Sequence, residues 1–287
     1  MKKGVLLRTL LSLAALVVPI SGASGQARPG LHISLADPGP VGANTTTAVF
    51  SHFAIGGGYT TVFTLLNTGT GAATGNLILT GQDGSALSAS LQSSDGTAAS
   101  SSSIALNIPQ GGATFVTAGP AVAGDPNVKA GWARVESSGG APGGVSSFQL
   151  TSGGTLETIA GVLSSSSVSS ATIPVDNDAT AGRFTGYAIA NTGSTNINVK
   201  VVVTDTNGNI TDTVTPQQLN PLTPGHQVAR FLHQDLPNRT TFRGSMVLIE
   251  QSGANFNVVA LIQAQGISNT ILFTAIPVIP GRAPNIN

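Results

Sequence analysis

Residues 67–84 read NTGTGAATGNLILTGQDG, and residues 191–208 read NTGSTNINVKVVVTDTNG. Asn67-Thr68-Gly69 returns as Asn191-Thr192-Gly193, and Asp83-Gly84 returns as Asn207-Gly208, at one offset of 124 residues without a gap. A fixed offset of this kind means one supersecondary unit used twice. In the second copy Ile197, Val199, Val201 and Val203 alternate with Asn198, Lys200 and Thr204, the period of a half-buried strand. In the first copy Ala73, Gly75, Leu77 and Leu79 stand in the same phase, because the offset is even. Each run leads into an Asp-Gly or Asn-Gly pair, which favours a tight hairpin turn with positive φ. Upstream, Phe63 and Leu65 are matched by Tyr187 and Ile189, marking a strand that ends in the Asn-Thr-Gly turn.

The later parts of the copies align less evenly. Pro109-Gln110-Gly111 corresponds loosely to Pro224-Gly225, and Gly131-Trp132-Ala133-Arg134-Val135-Glu136 to residues 244–250. The offset there falls to 113–114, so the first copy carries about ten extra residues. They fall in residues 92–103, a Ser/Ala/Gly tract that reads as a long flexible hairpin loop. The apolar runs 258–263 and 271–278 supply the closing strands. No helical periodicity longer than a turn is visible, and glycine and β-branched residues dominate.

The expected fold is therefore all-β, with two tandem antiparallel β-sandwich domains of immunoglobulin-like type arising from the internal repeat. The expected organisation is a signal peptide at 1–25, an N-terminal extension at 26–52 and a first sandwich at 53–165. A serine-rich linker at 166–182, a second sandwich at 183–280 and a tail at 281–287 complete it. Leu31, Ile33 and Leu35 alternate in the extension and predict an added strand.

Export is the reading of the N-terminus. Lys2, Lys3 and Arg8 precede an apolar run from 10 to 18, and small residues follow at 21–25, the layout of a secretory signal. The run is too short to span a bilayer, and no other segment approaches ~20 apolar residues. The expected location is secreted or on the cell surface, in a bacterium. Removal of the leader leaves nine basic against twelve acidic side chains, a net charge of −3. That mild charge offers no stripe for nucleic acid and no patch for anionic lipid. Charged residues make up 8% of the chain against an ordinary share of about 25%, so the surface is built of Ser, Thr, Asn, Gln and Gly and repels itself weakly. The absence of cysteine excludes disulfides and thiolate metal sites.

Gly56-Gly57-Gly58-Tyr59-Thr60-Thr61, leading to Leu65-Leu66-Asn67-Thr68-Gly69, resembles a pattern in uncharacterised exported bacterial proteins with tandem immunoglobulin-like or fibronectin-like sandwich repeats. Gly186-Tyr187-Ala188-Ile189-Ala190-Asn191 and Pro224-Gly225-His226-Gln227-Val228-Ala229-Arg230-Phe231-Leu232 extend the resemblance over roughly residues 52–280. It implies fold and location, and no active-site residue comes with it.

Candidate chemistry is sparse. His32, His52, His226 and His233 lack any triad context, and no Gly-x-Ser-x-Gly elbow is present. His226 and His233 are seven apart, with no His-x-x-x-His pattern and no Glu beside them, which is not a zinc spacing. Glu136 and Glu250 are repeat equivalents at strand ends rather than a facing pair of acids. The run from Gly69 to Gly75 misses a dinucleotide fingerprint by one residue and joins strand to strand. Asp176-Asn177-Asp178 is the best ligand cluster: Asp176 and Asp178 are candidate calcium ligands, although calcium takes six to eight oxygens. Trp132 reads as core, and Tyr59 as the better exposed aromatic. No other cofactor is expected. The expected function is a non-enzymatic cell-surface or extracellular structural or adhesion module. Its alternatives are a subunit of a fibre or oligomer assembled by β-strand addition, and a carbohydrate- or calcium-dependent binding protein. Expected partners are further copies, other surface proteins or a glycan.

Overall fold

The computed structural model describes residues 46–266 and 270–281, so the alternating residues 31–35 and His32 lie outside the described residues. The first half of the chain runs through β1 (Thr46–Ile55), β2 (Tyr59–Asn67), β3 (Ala73–Gly81), β4 (Ala89–Ser93) and β5 (Ala98–Ser101). It continues through β6 (Ser103–Ile108), β7 (Ala113–Pro120), β8 (Lys129–Ser138), β9 (Pro142–Ser152) and β10 (Thr155–Leu163). The second half comprises β11 (Ser167–Val168), β12 (Ser170–Asp178), β13 (Phe184–Ala190), β14 (Val199–Asp205) and β15 (Ile210–Val214). Then come β16 (Gln227–Phe231), a single helical turn α1 (Leu232–Asp235), β17 (Thr241–Glu250), β18 (Phe256–Gln265), β19 (Ile271–Ile276) and β20 (Ile279–Pro280). The chain is all-β and every ladder is antiparallel. No helix among the described residues is long and apolar enough to cross a membrane.

Four sheets form. Sheet I has the order β1-β8-β3-β6, and sheet II the order β10-β9-β2-β7-β4-β5. In sheet III, β18 pairs with β13 and β13 with β16, while β11 and β19 share the other edge of β18; sheet IV runs β15-β14-β17-β12-β20. The repeat is written in these orders. β1, β8, β3 and β6 of sheet I correspond to β12, β17, β14 and β15 of sheet IV. Likewise β10, β9, β2 and β7 correspond to β19, β18, β13 and β16.

The sheets close chiefly on the three largest apolar clusters of the described residues. Phe50, Leu77, Leu79 and Val135 of sheet I meet Phe63, Leu65 and Val116 of sheet II. Ile173, Val201 and Leu248 of sheet IV meet Tyr187, Ile189 and Val258 of sheet III. The third cluster joins the halves: Phe148, Ala160 and Val162 of sheet II pack on Ala188, Val259, Leu261 and Phe273 of sheet III. Sheet III is thus buried on both faces, which explains why β13 and β18 read as continuous apolar runs instead of alternating. Each wholly buried side chain of this size contributes about 1.5–3 kcal/mol.

The structure departs from the sequence reading at three places. Residues 46–52, read as part of the extension, form most of β1, with Phe50 and Phe53 fully buried. The stretch read as a linker holds β12, because Ala171, Ile173 and Val175 alternate inward and override the serine-rich flank. The tract 92–103, read as a flexible loop around the extra residues of the first copy, is ordered. It holds the end of β4, all of β5 and the start of β6, in a hairpin fixed by inward Ala89 and Leu91 and by pairing of β4 with β7. That insertion also changes the turn chemistry. The second copy returns on itself near Asn207-Gly208, pairing β14 with β15, through a five-residue loop closed by Asp205 N–H on the Asn209 carbonyl. At Asp83-Gly84 the chain instead crosses from sheet I to sheet II, so β3 and β4 do not pair.

The repeated motif residues are internal fasteners. Asn67 and Asn191 are buried, and the side-chain amide of each spans its own loop. Asn191 donates to the Thr195 and Leu222 carbonyls at 2.8 and 2.9 Å and accepts from Gly193 N–H at 3.1 Å. Asn67 donates to the Gly71 and Ile108 carbonyls and accepts from Gly69 and Ala141 N–H. Gly131 and Gly244, also repeat equivalents, lie where a Cβ would overlap the carbonyl oxygen of Thr80 or Thr204 on the adjacent strand. Replacing Asn191 by Ala leaves two buried carbonyls and one N–H without partners, at about 1–3 kcal/mol per group with partial relief from water. The expected result is a loss of about 2–4 kcal/mol in urea unfolding at unchanged m-value; a loss below 1 kcal/mol would show that the loop does not depend on this amide.

Candidate functional site

Most charged side chains of the described residues are engaged by partners within the fold. All five arginines among the described residues are in ion pairs: Arg134 with Glu136, Arg183 with Asp176 and Asp178, Arg230 with Asp235, Arg239 with Asp212, and Arg243 with Asp176. Lys129 pairs with Asp125 at 2.9 Å. Most remaining acids close turns. Asp83 accepts from Ser85, Asp95 from Thr97 N–H, and Asp205 from Asn207 and Asn209.

Asp176 and Asp178, the candidate calcium ligands, lie at the end of β12, where the strand meets β13 and β17. Arg183 Nε is 2.8 Å from Asp176, and Arg243 Nε is 3.0 Å from its other oxygen. Asp178 accepts from Thr180 and Ala181 N–H and is approached by Arg183 at 3.4 Å. Partial burial opposes ionisation of Asp176, but the two guanidinium groups outweigh it and hold its carboxyl below the usual range. Both acids are thus engaged by cations and backbone donors, and no group of three or more His, Cys, Asp or Glu suited to a metal ion occurs among the described residues.

Of the three described histidines, His52 is buried and His226 and His233 are half-buried. His52 is 2% exposed, stands edge-on to Phe148, and shares a 2.9 Å hydrogen bond with Gln227 Nε2, in the tautomer that leaves Nδ1 free to accept. His226 bridges Asp83 across the two halves. His233 is stacked against Phe184 and Phe231, and burial lowers its pKa despite the nearby Asp235. Trp132 is buried and donates to the Gly225 carbonyl at 2.6 Å. Tyr59, read from sequence as the exposed aromatic, is buried at 8% exposure, and burial reinforced by the charge of Glu157 pushes its pKa up to about 12. Inward phase in β2 decides its position.

One cluster has no signature in the sequence. The hydroxyl of Tyr187, fully buried, donates to Asp235 at 2.6 Å, and Arg230 Nε holds the other carboxylate oxygen at 2.6 Å. Burial raises the Asp235 pKa against the pull of Tyr187 and Arg230, and burial with the adjoining carboxylate raises Tyr187 well above its ordinary value. The side chains come from β13, β16 and α1, so only the pairing of β13 with β16 brings them together. The five-residue spacing of Arg230 and Asp235 is the sole local hint. Within the cluster the Asp235 side chain is almost wholly buried, while the Arg230 side chain keeps 18% of its surface exposed.

What remains is surface. The outer face of sheet II is formed by side chains that alternate away from the core. Its cross-strand rows read Leu163–Val145–Thr64–Phe115 and Gly161–Ser147–Val62–Thr117–Gln92, with Ile159–Gln149–Thr60 beside them. No residue of these rows is charged. Leu66 and Phe115 are 40% and 49% exposed. A separate apolar groove, about 430 Å3, opens where β10 meets β18 and β19. Comparison of the chain with protein-family models, characterised proteins and solved structures finds no match.

Glu250 offers a direct test of how the acids are used. Burial alone would raise its pKa, but the hydroxyl and N–H of Ser252, with the N–H groups of Asn198 and Ala254, overcome that and bring it down to about 2. A depressed carboxylate contributes stability that is full above its unfolded pKa and lost as pH falls through the folded one. Stability is therefore expected to fall between pH 4.5 and 2, by up to about 3 kcal/mol from this group. In Glu250→Gln that part of the pH dependence disappears. Identical acid-unfolding profiles for the two proteins would refute the assignment.

Proposed function

We propose that the chain is an exported, non-enzymatic structural or adhesion module that works through the outer face of sheet II, on the cell surface or outside the cell. The observation that carries this reading is the absence of charge across that face. Bringing a surface into contact strips water from its polar groups, and ionised groups cost far more to strip than hydroxyls, amides or aliphatic carbons. A broad face of Thr, Ser, Gln, Val and Leu around exposed Phe115 is therefore cheap to cover.

Two further features support the reading. The N-terminus has the layout of a secretory leader. Among the described residues, the arginines and most carboxylates are already spent on holding the fold, whereas acid–base catalysis needs titratable groups free at a cleft. The partners that suit the face are further copies, neighbouring surface proteins or neutral glycans.

The test is a double substitution on the face, Thr64→Glu with Thr117→Glu, both pointing away from the core. The circular dichroism spectrum is expected to stay that of the parent. Retention of the protein on the outside of the producing cell, measured by fractionation and surface proteolysis, is expected to fall at least tenfold, since burying a charge costs more than the ~1.4 kcal/mol that a factor of ten requires. Unchanged retention would remove the face from the mechanism, and a protein found inside the cell would remove the reading itself.

A further inference from the structure

The apolar groove between the halves has a defined floor and two walls. Val258, Val259 and Ala260 of β18 form the floor; residues 163–166 form one wall and residues 276–278 with Pro280 the other. On this side of β18, β11 pairs with Phe256 and Asn257, and β19 pairs from Ala260 onward. Among the described residues, Val258 and Val259 therefore have a ladder partner on the β13 side alone. No titratable side chain of the described residues lines the groove, and the only polar side chains they place there are the three serines 164–166.

We propose that residues 31–35 of this same chain occupy the groove, extended along β18 with Leu31, Ile33 and Leu35 against its aliphatic floor. Three observations lead there. The first is where the chain enters the described structure. It does so at Thr46, and three residues later the Val49 carbonyl accepts the Ser165 N–H at 2.7 Å, with Ser165 in the groove wall. The eleven residues from Leu35 to Thr46 reach up to ~36 Å at about 3.3 Å per residue, ample for the distance. Tethering also gives the segment a local concentration in the millimolar range.

The second observation is the pattern. Leu31, Ile33 and Leu35 alternate with His32 and Ser34, so in an extended chain the three apolar side chains share one face. The third is chemical fit. Residues 29–36 contain no Lys, Arg, Asp or Glu, which suits a groove without charge. The inference goes beyond the surface role of sheet II and does not rest on it.

The chain has no cysteine, so introduced pairs report without ambiguity. Leu163→Cys at the groove rim, 48% exposed, is combined in turn with Leu31→Cys, Ile33→Cys and Leu35→Cys in the chain from residue 26, and each is oxidised at low protein concentration. At least one pair is expected to form an intramolecular disulfide in most molecules, read by mass spectrometry. The control pairing Ile33→Cys with Val122→Cys, 70% exposed and remote from the groove lining, is expected to stay reduced. A disulfide-linked dimer would show that a second copy fills the groove and overturn the proposal, as would linkage no greater than in the control for all three pairs. Separately, Ile33→Asp is expected to lower Tm by about 2–4 °C and to increase fluorescence of an anilinonaphthalene sulfonate dye. No change in either would also overturn it.

Discussion

The structure depends on sheet III having both faces covered. A sheet with one wet face is read in sequence as alternation, and a sheet buried twice loses that alternation. Val258, Val259, Ala260 and Leu261 form such a run, sending Val258 and Ala260 toward sheet IV and Val259 and Leu261 toward sheet II. Neither half can therefore present sheet III to water without exposing a core face. The contact between the halves is a hydrophobic requirement of β13 and β18, and the polar joints at its rim follow from it.

Those joints show how a chain with so few charges fixes its geometry. Gln227, 2% exposed, donates to the Ser51 carbonyl and His52 and accepts from Gln82, binding a β16 residue to both β1 and the turn after β3. Asn257 links Thr192 to the Ser165 carbonyl in the same manner. Amides both donate and accept, so one side chain can serve two backbones without the desolvation cost of an ion. Ion pairs are kept to the periphery, where exposed ones are worth little, with Arg230–Asp235 as the buried exception.

The fold class was legible because period-two alternation and a constant offset are local signals. Val199, Val201 and Val203 announce a strand face, and the paired Asn-Thr-Gly motifs announce that the same loop is built twice. Trp132 was legible as core for the same reason. What could not be read were features decided by pairing across the chain. The serines around β12 suggest a linker, yet its partner β17 makes it an interior strand. The tract from 92 to 103 looks flexible until β7 is seen to supply an edge. Asp176 and Asp178 look like free oxygen donors until β13 and β17 bring Arg183 and Arg243 beside them. Tyr187, Asp235 and Arg230 have no shared signature, because register alone brings them together.

The difference between the copies bears most directly on use. Sheets I and IV are nearly equivalent, but sheet II carries β4 and β5 beyond β7, where sheet III ends at β16. The added hairpin brings Ala89 and Leu91 to the first core and contributes Ser90, Gln92 and Ser100 on the other side. It also widens an outward face that has no ionised residue in its rows, in the same half whose opposite sheet face is committed to the joint with sheet III. The insertion thus gives sheet II a wider outer face whose cross-strand rows carry no charge, whereas its counterpart, sheet III, is covered on both faces.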